Sequence, residues 1–207
     1  LYWIIKLEAR YLSGDYAEVI AAADKVKPML WAAAAHIHLL DYFLYTALAV
    51  TALYEEASED KRAQWRDLLT QHREQLREWA ENYPPNFADK HALVSAEIAR
   101  IEGRGMEAMR LYDQAIRSAR DNGFVQQEAL AAEVAARFYE ARGFERFADT
   151  FLRDAHAGYA RWGAQGKVRQ LERLHPWLAH TQQPQTATLA QQLDAISVAR
   201  AQRAISG

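Results

Sequence analysis

The chain has no cysteine among its 207 residues, and only five prolines and nine glycines. Without cysteine there is no disulfide, no catalytic thiolate and no cysteine-ligated metal, which fits a reducing compartment, and we expect a cytoplasmic protein. Alternating runs of Val, Ile and Thr, which would indicate strands, are also missing. Ala, Leu, Glu, Arg and Gln, which favour helices, are abundant. The composition therefore predicts an all-α protein.

A strong charge of either sign is also lacking, because the formal net charge is only −2. Arginines alternate with acidic residues, as on a solvated helix surface, so we expect no nucleic-acid partner. Residues 29–54 form the most apolar run, but His36, His38 and Asp41 lie inside it. Such side chains are costly in a bilayer, so we predict a buried helix and no membrane partner.

Helical segments separated by turn residues follow one another along most of the chain. We predict helical hairpins over 1–178, a polar linker over 179–188, and over 189–207 the start of a helix that leads to a downstream domain. No signal peptide is visible at the N-terminus. Because the chain begins at Leu1, without Met, we interpret it as a piece of a longer protein.

An internal repeat becomes visible when the sequence is aligned on glycine. Small or apolar residues follow three glycines at the offsets +5, +9 and +12, and two of these glycines are 40 residues apart. The three sets are Gly14 with Val19, Ala23 and Val26, Gly103 with Ala108, Tyr112 and Ala115, and Gly143 with Ala148, Leu152 and Ala155. Glycine permits a tight turn between two helices, and small residues let the second helix approach its neighbours. The pattern predicts a solenoid of about four hairpins.

This order of glycine, Ala, an aromatic or Leu, and Ala resembles the second helix of tetratricopeptide repeats, although the spacing exceeds their usual 34 residues. The resemblance implies a right-handed α-α superhelix of tetratricopeptide-like hairpins. Residues 96–172 are similar to the repeat region of large bacterial signalling proteins, which also carry serine/threonine kinase-like, signal-transducing NTPase, GAF and sensor histidine kinase domains. The segment "LDAISVARAQRAISG" is similar to the stretch that leads into the GAF domain.

Motifs for catalysis or cofactor binding are missing from the sequence. The text "GRGMEA" lacks the Lys and Ser/Thr of a phosphate-binding loop. His36 and His38 point about 200° apart on a helix and cannot share a metal, and a histidine hydrogen-bonded between helices is the simpler interpretation of His38. We therefore predict no catalytic residue, no metal and no cofactor, and conclude that this chain itself is not an enzyme.

The first helix of each tetratricopeptide-type pair lines a concave face that binds peptides, as the resemblance implies. This places Glu97, Arg100, Glu133 and Arg137 at a possible protein-binding face. Glu133 and Arg137 are also four residues apart, the spacing of a helix-stabilising ion pair. Because such pairs most often lie on the surface and contribute little, a solvated pair is the competing interpretation.

The sequence thus predicts a non-catalytic interaction and regulatory module, which would couple the binding of a protein partner or signal to the ATPase and kinase domains of a parent protein. Three alternatives remain open at this point. Residues 189–206 could form a dimerisation helix that transmits a signal. The repeats could also be the arm of a transcription regulator, or they could enclose a small-molecule pocket.

Overall fold

A computed structural model of the chain describes residues 2–28, 30 and 39–182. Those ranges contain helices and turns and no strand, so the prediction of an all-α protein is confirmed. The helices are α1 (Tyr2–Ser13), α2 (Tyr16–Val26), α3 (Leu39–Leu53), α4 (Glu59–Asn82), α5 (Pro84–Ile101), α6 (Gly105–Asp121), α7 (Val125–Glu140), α8 (Glu145–Trp162) and α9 (Gln165–Leu174), with short 3-10 helices at Tyr54–Glu56 and Pro176–Gln182.

The chain divides into two compact units, residues 1–168 and residues 169–207. In the second unit, the 3-10 helix reaches Gln182, four residues into the linker that was predicted over 179–188. The rest of that linker and the helix predicted over 189–207 lie outside the described residues. Residues 31–38, which belong to the most apolar run, lie outside them as well.

Within the first unit, each helix from α1 to α7 packs against the next helix along the chain. The first helices of the four successive pairs, α1, α3, α5 and α7, also contact one another in that order. The pairs α5/α6 and α7/α8 have the most extensive internal contact. Because the first helices are covered on several sides, they carry much of the core. In α3, nine of the 15 residues are buried, against four of 24 in α4.

Glycine in a left-handed conformation ends α1, α5, α6, α7 and α8, whereas the turns after α3 and α4 contain no glycine. At the turn between α6 and α7, Gly123 has a φ of 76°, and the Phe124 amide donates to the Ala119 carbonyl at 2.8 Å. This is the Schellman arrangement, in which the residue after the glycine already caps the next helix. The glycines with positive φ are Gly14, Gly103, Gly123, Gly143 and Gly163, and the last four are spaced 20 residues apart.

The residues predicted to pack the repeat lie where the turns meet the core. Their glycines take positive φ, with values between 74° and 85°. The other nine predicted residues are at most 4% exposed, and they are Val19, Ala23, Val26, Ala108, Tyr112, Ala115, Ala148, Leu152 and Ala155. One close approach was not predicted: a Cβ on Gly158 of α8 would come within 2.7 Å of the Ala129 Cβ of α7.

No helix in the described ranges is both long enough and apolar enough to span a membrane.

Candidate functional site

Charged residues recur at one position of the first helices. Glu8 of α1, Glu97 of α5 and Arg137 of α7 each stand six residues before the glycine that ends their hairpin turn. All three are buried or half-buried, although their residue types usually remain in solvent unless they are paired. The face formed by the first helices therefore carries charged side chains. What this face can bind depends on which residues already pair with those charges.

Glu97 is the most enclosed of these charges, with 6% of its surface exposed. Arg100 donates two hydrogen bonds to Glu97, from Nε and from Nη2, each 3.0 Å from a carboxylate oxygen. The Tyr112 hydroxyl, from the predicted repeat position, donates a third hydrogen bond. Burial alone would raise the pKa of Glu97, but the Arg100 charge and these bonds outweigh it and hold the pKa below its usual value. Glu97 is therefore ionised, and both of its carboxylate oxygens already accept hydrogen bonds.

Arg100 also links α5 to the end of α3. Its Nη2 donates to the Thr51 carbonyl at 2.7 Å, and its Nη1 lies 3.3 Å from a carboxylate oxygen of Glu55. The Arg100 side chain is 17% exposed, whereas Glu55 is 80% exposed. The contact with Glu55 is consequently screened by water, and Glu97 is the principal partner of Arg100.

Arg137 joins the fourth hairpin to the first. Its two terminal nitrogens donate to the hydroxyls of Tyr16 and Tyr11, and both rings lie within 6.0 Å of the guanidinium carbon. In the described part of the chain, no carboxylate lies within salt-bridge distance of Arg137, since its short contacts are to tyrosines. Burial raises the pKa of Tyr11 although Arg137 opposes this, so Tyr11 keeps its proton at neutral pH.

Glu133 does not form the predicted ion pair with Arg137. Its two carboxylate oxygens accept instead from the Tyr159 hydroxyl at 2.7 Å and from Lys167 at 2.8 Å. Lys167 also donates to the Leu12 carbonyl at 2.9 Å. The interpretation of Glu133 and Arg137 as a solvated pair is therefore wrong, because partners distant in sequence surround each of them.

Glu8 completes the polar contacts between early and late helices. It accepts from the Tyr45 hydroxyl at 3.3 Å and from the side-chain amide of Gln126 in α7. Sequence reasoning missed Glu8, Tyr11, Tyr16 and Lys167. The shared position six residues before the turn glycine could have indicated Glu8, but no pattern in the sequence marks the other three.

A cleft of about 360 Å³ opens beside this network. Three of the four residues predicted at the concave face, Glu97, Arg100 and Arg137, line it, and Glu133 is not among its lining residues. Arg142 contributes from just beyond α7, where its guanidinium lies 3.8 Å from the centre of the Phe138 ring. The other lining residues are Tyr16, Ala52, Glu55, Val134, Phe138 and Ala141.

The lining of the cleft therefore includes three arginines and a tyrosine, beside the carboxylates of Glu55 and Glu97. Such a set of donors suits the non-covalent recognition of a polar or charged group. Among the described residues, no group of three or more His, Asp or Glu side chains is placed to hold a metal ion.

His72 is a buried titratable residue away from this cleft, in α4. Its Nδ1 lies 3.0 Å from the Phe43 carbonyl oxygen, and the residue is 4% exposed. Burial lowers the pKa of His72 to about 4, although the Phe43 carbonyl opposes the shift. His72 is therefore neutral in the folded protein near pH 7, and its charging opposes folding.

Comparisons with protein families, with curated proteins and with solved structures found no match for this chain.

Proposed function

We propose that this chain is a non-catalytic protein-interaction and regulatory module, built as a right-handed superhelix of tetratricopeptide-like hairpins. In this proposal it belongs to a larger bacterial signalling protein and couples the binding of a partner to the ATPase and kinase domains of that protein. The observation that supports it is the cleft in which Glu97, Arg100 and Arg137 meet. These residues come from two different first helices, as a concave binding face requires.

The polar network around the cleft supports a recognition role because it holds the lining side chains in place. Arg100 is fixed by Glu97 and by the Thr51 carbonyl, and Arg137 is fixed by two tyrosines. Pre-positioned side chains lose little conformational entropy when a partner binds. A partner that contacts Arg137 also meets the junction between the first and the fourth hairpin, so it can favour one arrangement of the hairpins over another.

The test is a pull-down of this chain against the domains that adjoin it in the full-length protein, in ATP and in ADP. We expect capture that depends on the nucleotide. Ala141→Trp, which fills the edge of the cleft, should abolish capture, while Gln114→Trp on an exposed position of α6 should not. Equal capture by both variants would reject the cleft as the binding site. If no partner is captured in either nucleotide, the proposed coupling is rejected.

A further inference from the structure

Among the described residues, two of the arginines at the cleft have no carboxylate at salt-bridge distance. Arg137 contacts tyrosine hydroxyls, and Arg142, which is exposed, contacts the carbonyl and the ring of Phe138. In the described ranges, neither guanidinium has a carboxylate oxygen within 4.0 Å. By contrast, Arg100 and Glu97 neutralise each other at 3.0 Å. Glu97 and Glu133 attract Arg137 from beyond that distance, so the positive charges of Arg142 and Arg137 are less closely compensated than that of Arg100.

The cleft has room for one small anionic group and its attachment. A volume of about 360 Å³ is at the lower end of the range for small-molecule sites. Three arginines and two glutamates line the cleft and leave it with one net positive charge, and the planar donors of Arg137 and Arg142 suit the oxygens of a phosphate group. Tyr16 also lines the cleft, and the exposed Ala141 and the half-buried Ala52 offer small apolar surfaces to the group that carries the phosphate.

We infer that the cleft binds a phosphate monoester as a dianion, held between Arg137 and Arg142. This inference rests on the proposed function, because it names the chemical group that the same cleft recognises. A phosphorylated side chain of a protein partner and a free phosphate-bearing small molecule share this chemistry. Glu97 takes no part in the binding, since its oxygens already accept from Arg100 and Tyr112.

The test is a calorimetric titration of the 207-residue chain with phenyl phosphate and with phenyl sulfate, which has the same shape and one negative charge. We expect phenyl phosphate to bind at least about tenfold more tightly, because it can make charge-assisted hydrogen bonds to two cations. Arg142→Gln should weaken its binding about tenfold. The matched control is Arg146→Gln, which changes an exposed arginine outside the cleft and should leave the affinity unchanged.

A second variant avoids the removal of any arginine. Ala141 is exposed and lines the cleft, so Ala141→Glu should fold normally while its carboxylate repels the phosphate. We expect it to weaken phenyl phosphate binding about tenfold. Circular dichroism before each titration checks that every variant retains the helical content of the parent chain.

Three results would overturn the inference. They are the absence of phenyl phosphate binding below about 10 mM, equal affinity for phenyl sulfate, and an Arg142→Gln variant that binds as the parent does. A chain that captures a protein partner but no phosphate monoester would refute the ligand class and leave the interaction module intact. Tighter binding of a phosphotyrosine peptide than of phenyl phosphate would support the inference and indicate that the phosphate belongs to a protein partner. Equal binding of the two would support the inference and indicate a small molecule as the source of the phosphate.

Discussion

The two halves of the first unit, α1 to α4 and α5 to α8, differ in how their helices are connected. From Pro84 to Trp162, α5 to α8 are separated by turns whose glycines lie 20 residues apart. Between α3 and α4, there is no glycine, and a 3-10 helix at Tyr54–Glu56 makes the connection. There, Ser58 accepts from the Lys61 amide, and Arg62 donates to the Tyr54 carbonyl at 3.0 Å. After the glycine turns of the regular half, α6, α7 and α8 begin without a hydrogen bond from an N-cap side chain, whereas α4 begins with one.

The difference shows why only one half has a regular period. A Schellman turn uses one glycine and begins the next helix directly afterwards, so the helix length sets a constant spacing. A turn that is capped by side chains allows helices of different lengths, and α4 has 24 residues where α6 has 17. The polar cleft lies where the halves meet, with Ala52 and Glu55 from one half and residues of α5 and α7 from the other.

The largest expected effect contrasts a buried ion pair of the regular half with an exposed pair of α4. Glu97→Gln should reduce the free energy of unfolding by about 3–5 kcal/mol, because it leaves the largely buried charge of Arg100 without its main partner. Glu81→Gln removes an exposed partner of Arg77 and should leave the free energy of unfolding nearly unchanged, because water screens such pairs. Urea denaturation of both variants measures this difference, and equal losses would show that the inner network is solvated like the surface.

The pH dependence of stability distinguishes the other half, which contains His72. Between pH 6.5 and about 4, the unfolded chain binds a proton at His72 that the folded chain does not bind. The free energy of unfolding should therefore fall as the pH is lowered through this range, by about 3 kcal/mol in all. His72→Asn should remove this contribution, so its denaturation curves at pH 7 and pH 4.5 should differ less than those of the parent chain. An unchanged pH dependence would contradict the buried, neutral state of His72.

The close contact of α7 with α8 sets the third expectation. Gly158→Ala places a methyl group against Ala129, and backbone atoms lie directly behind it. We expect a loss of about 2 kcal/mol in thermal or urea unfolding, as for other overpacked sites. Gly166→Ala is the matched control because nothing lies within 4 Å of its added Cβ. A Gly158→Ala variant as stable as this control would place α8 further from α7 than described.

The smallest effect tests the regular turns themselves. Gly123→Ala adds no clash but must hold alanine at a φ of 76°, which should cost about 1 kcal/mol. Gly105→Ala, at a glycine with only ordinary contacts and no positive φ, should cost less. If thermal unfolding ranks the two variants in the opposite order, the left-handed turn is not the feature that fixes the period.

Local patterns predicted the helices well because turn residues mark their ends. Pro84 and Pro85 are the first two residues of α5, and the repeat aligned on Gly103 and Gly143 identified buried positions in α6 and α8. Gly123 and Gly163 continue the same series at half the interval, and the sequence alignment used only the 40-residue step.

The candidate site was predictable only in part. Because Glu97, Arg100 and Arg137 were assigned to first helices, the sequence predicted them on the same face, and in the structure all three line one cleft. The partners of Arg137 and Glu133 were not predictable from spacing. Tyr11 stands 126 residues before Arg137 in the chain, and Lys167 follows Glu133 by 34 residues. Such contacts depend on which helices pack together in three dimensions, and no short motif encodes that packing.

The central claim is that partners dock at the inner cleft, and not on the outer surface of the second helices. The direct measurement is photo-crosslinking of the full-length protein, with a photoreactive phenylalanine analogue at Ala141 in the cleft or at Arg117 on the exposed face of α6. Mass spectrometry then identifies the crosslinked segments and the protein to which they belong. We predict crosslinks from position 141 and none from position 117. Crosslinks from 117 alone, or from neither position, would contradict the claim.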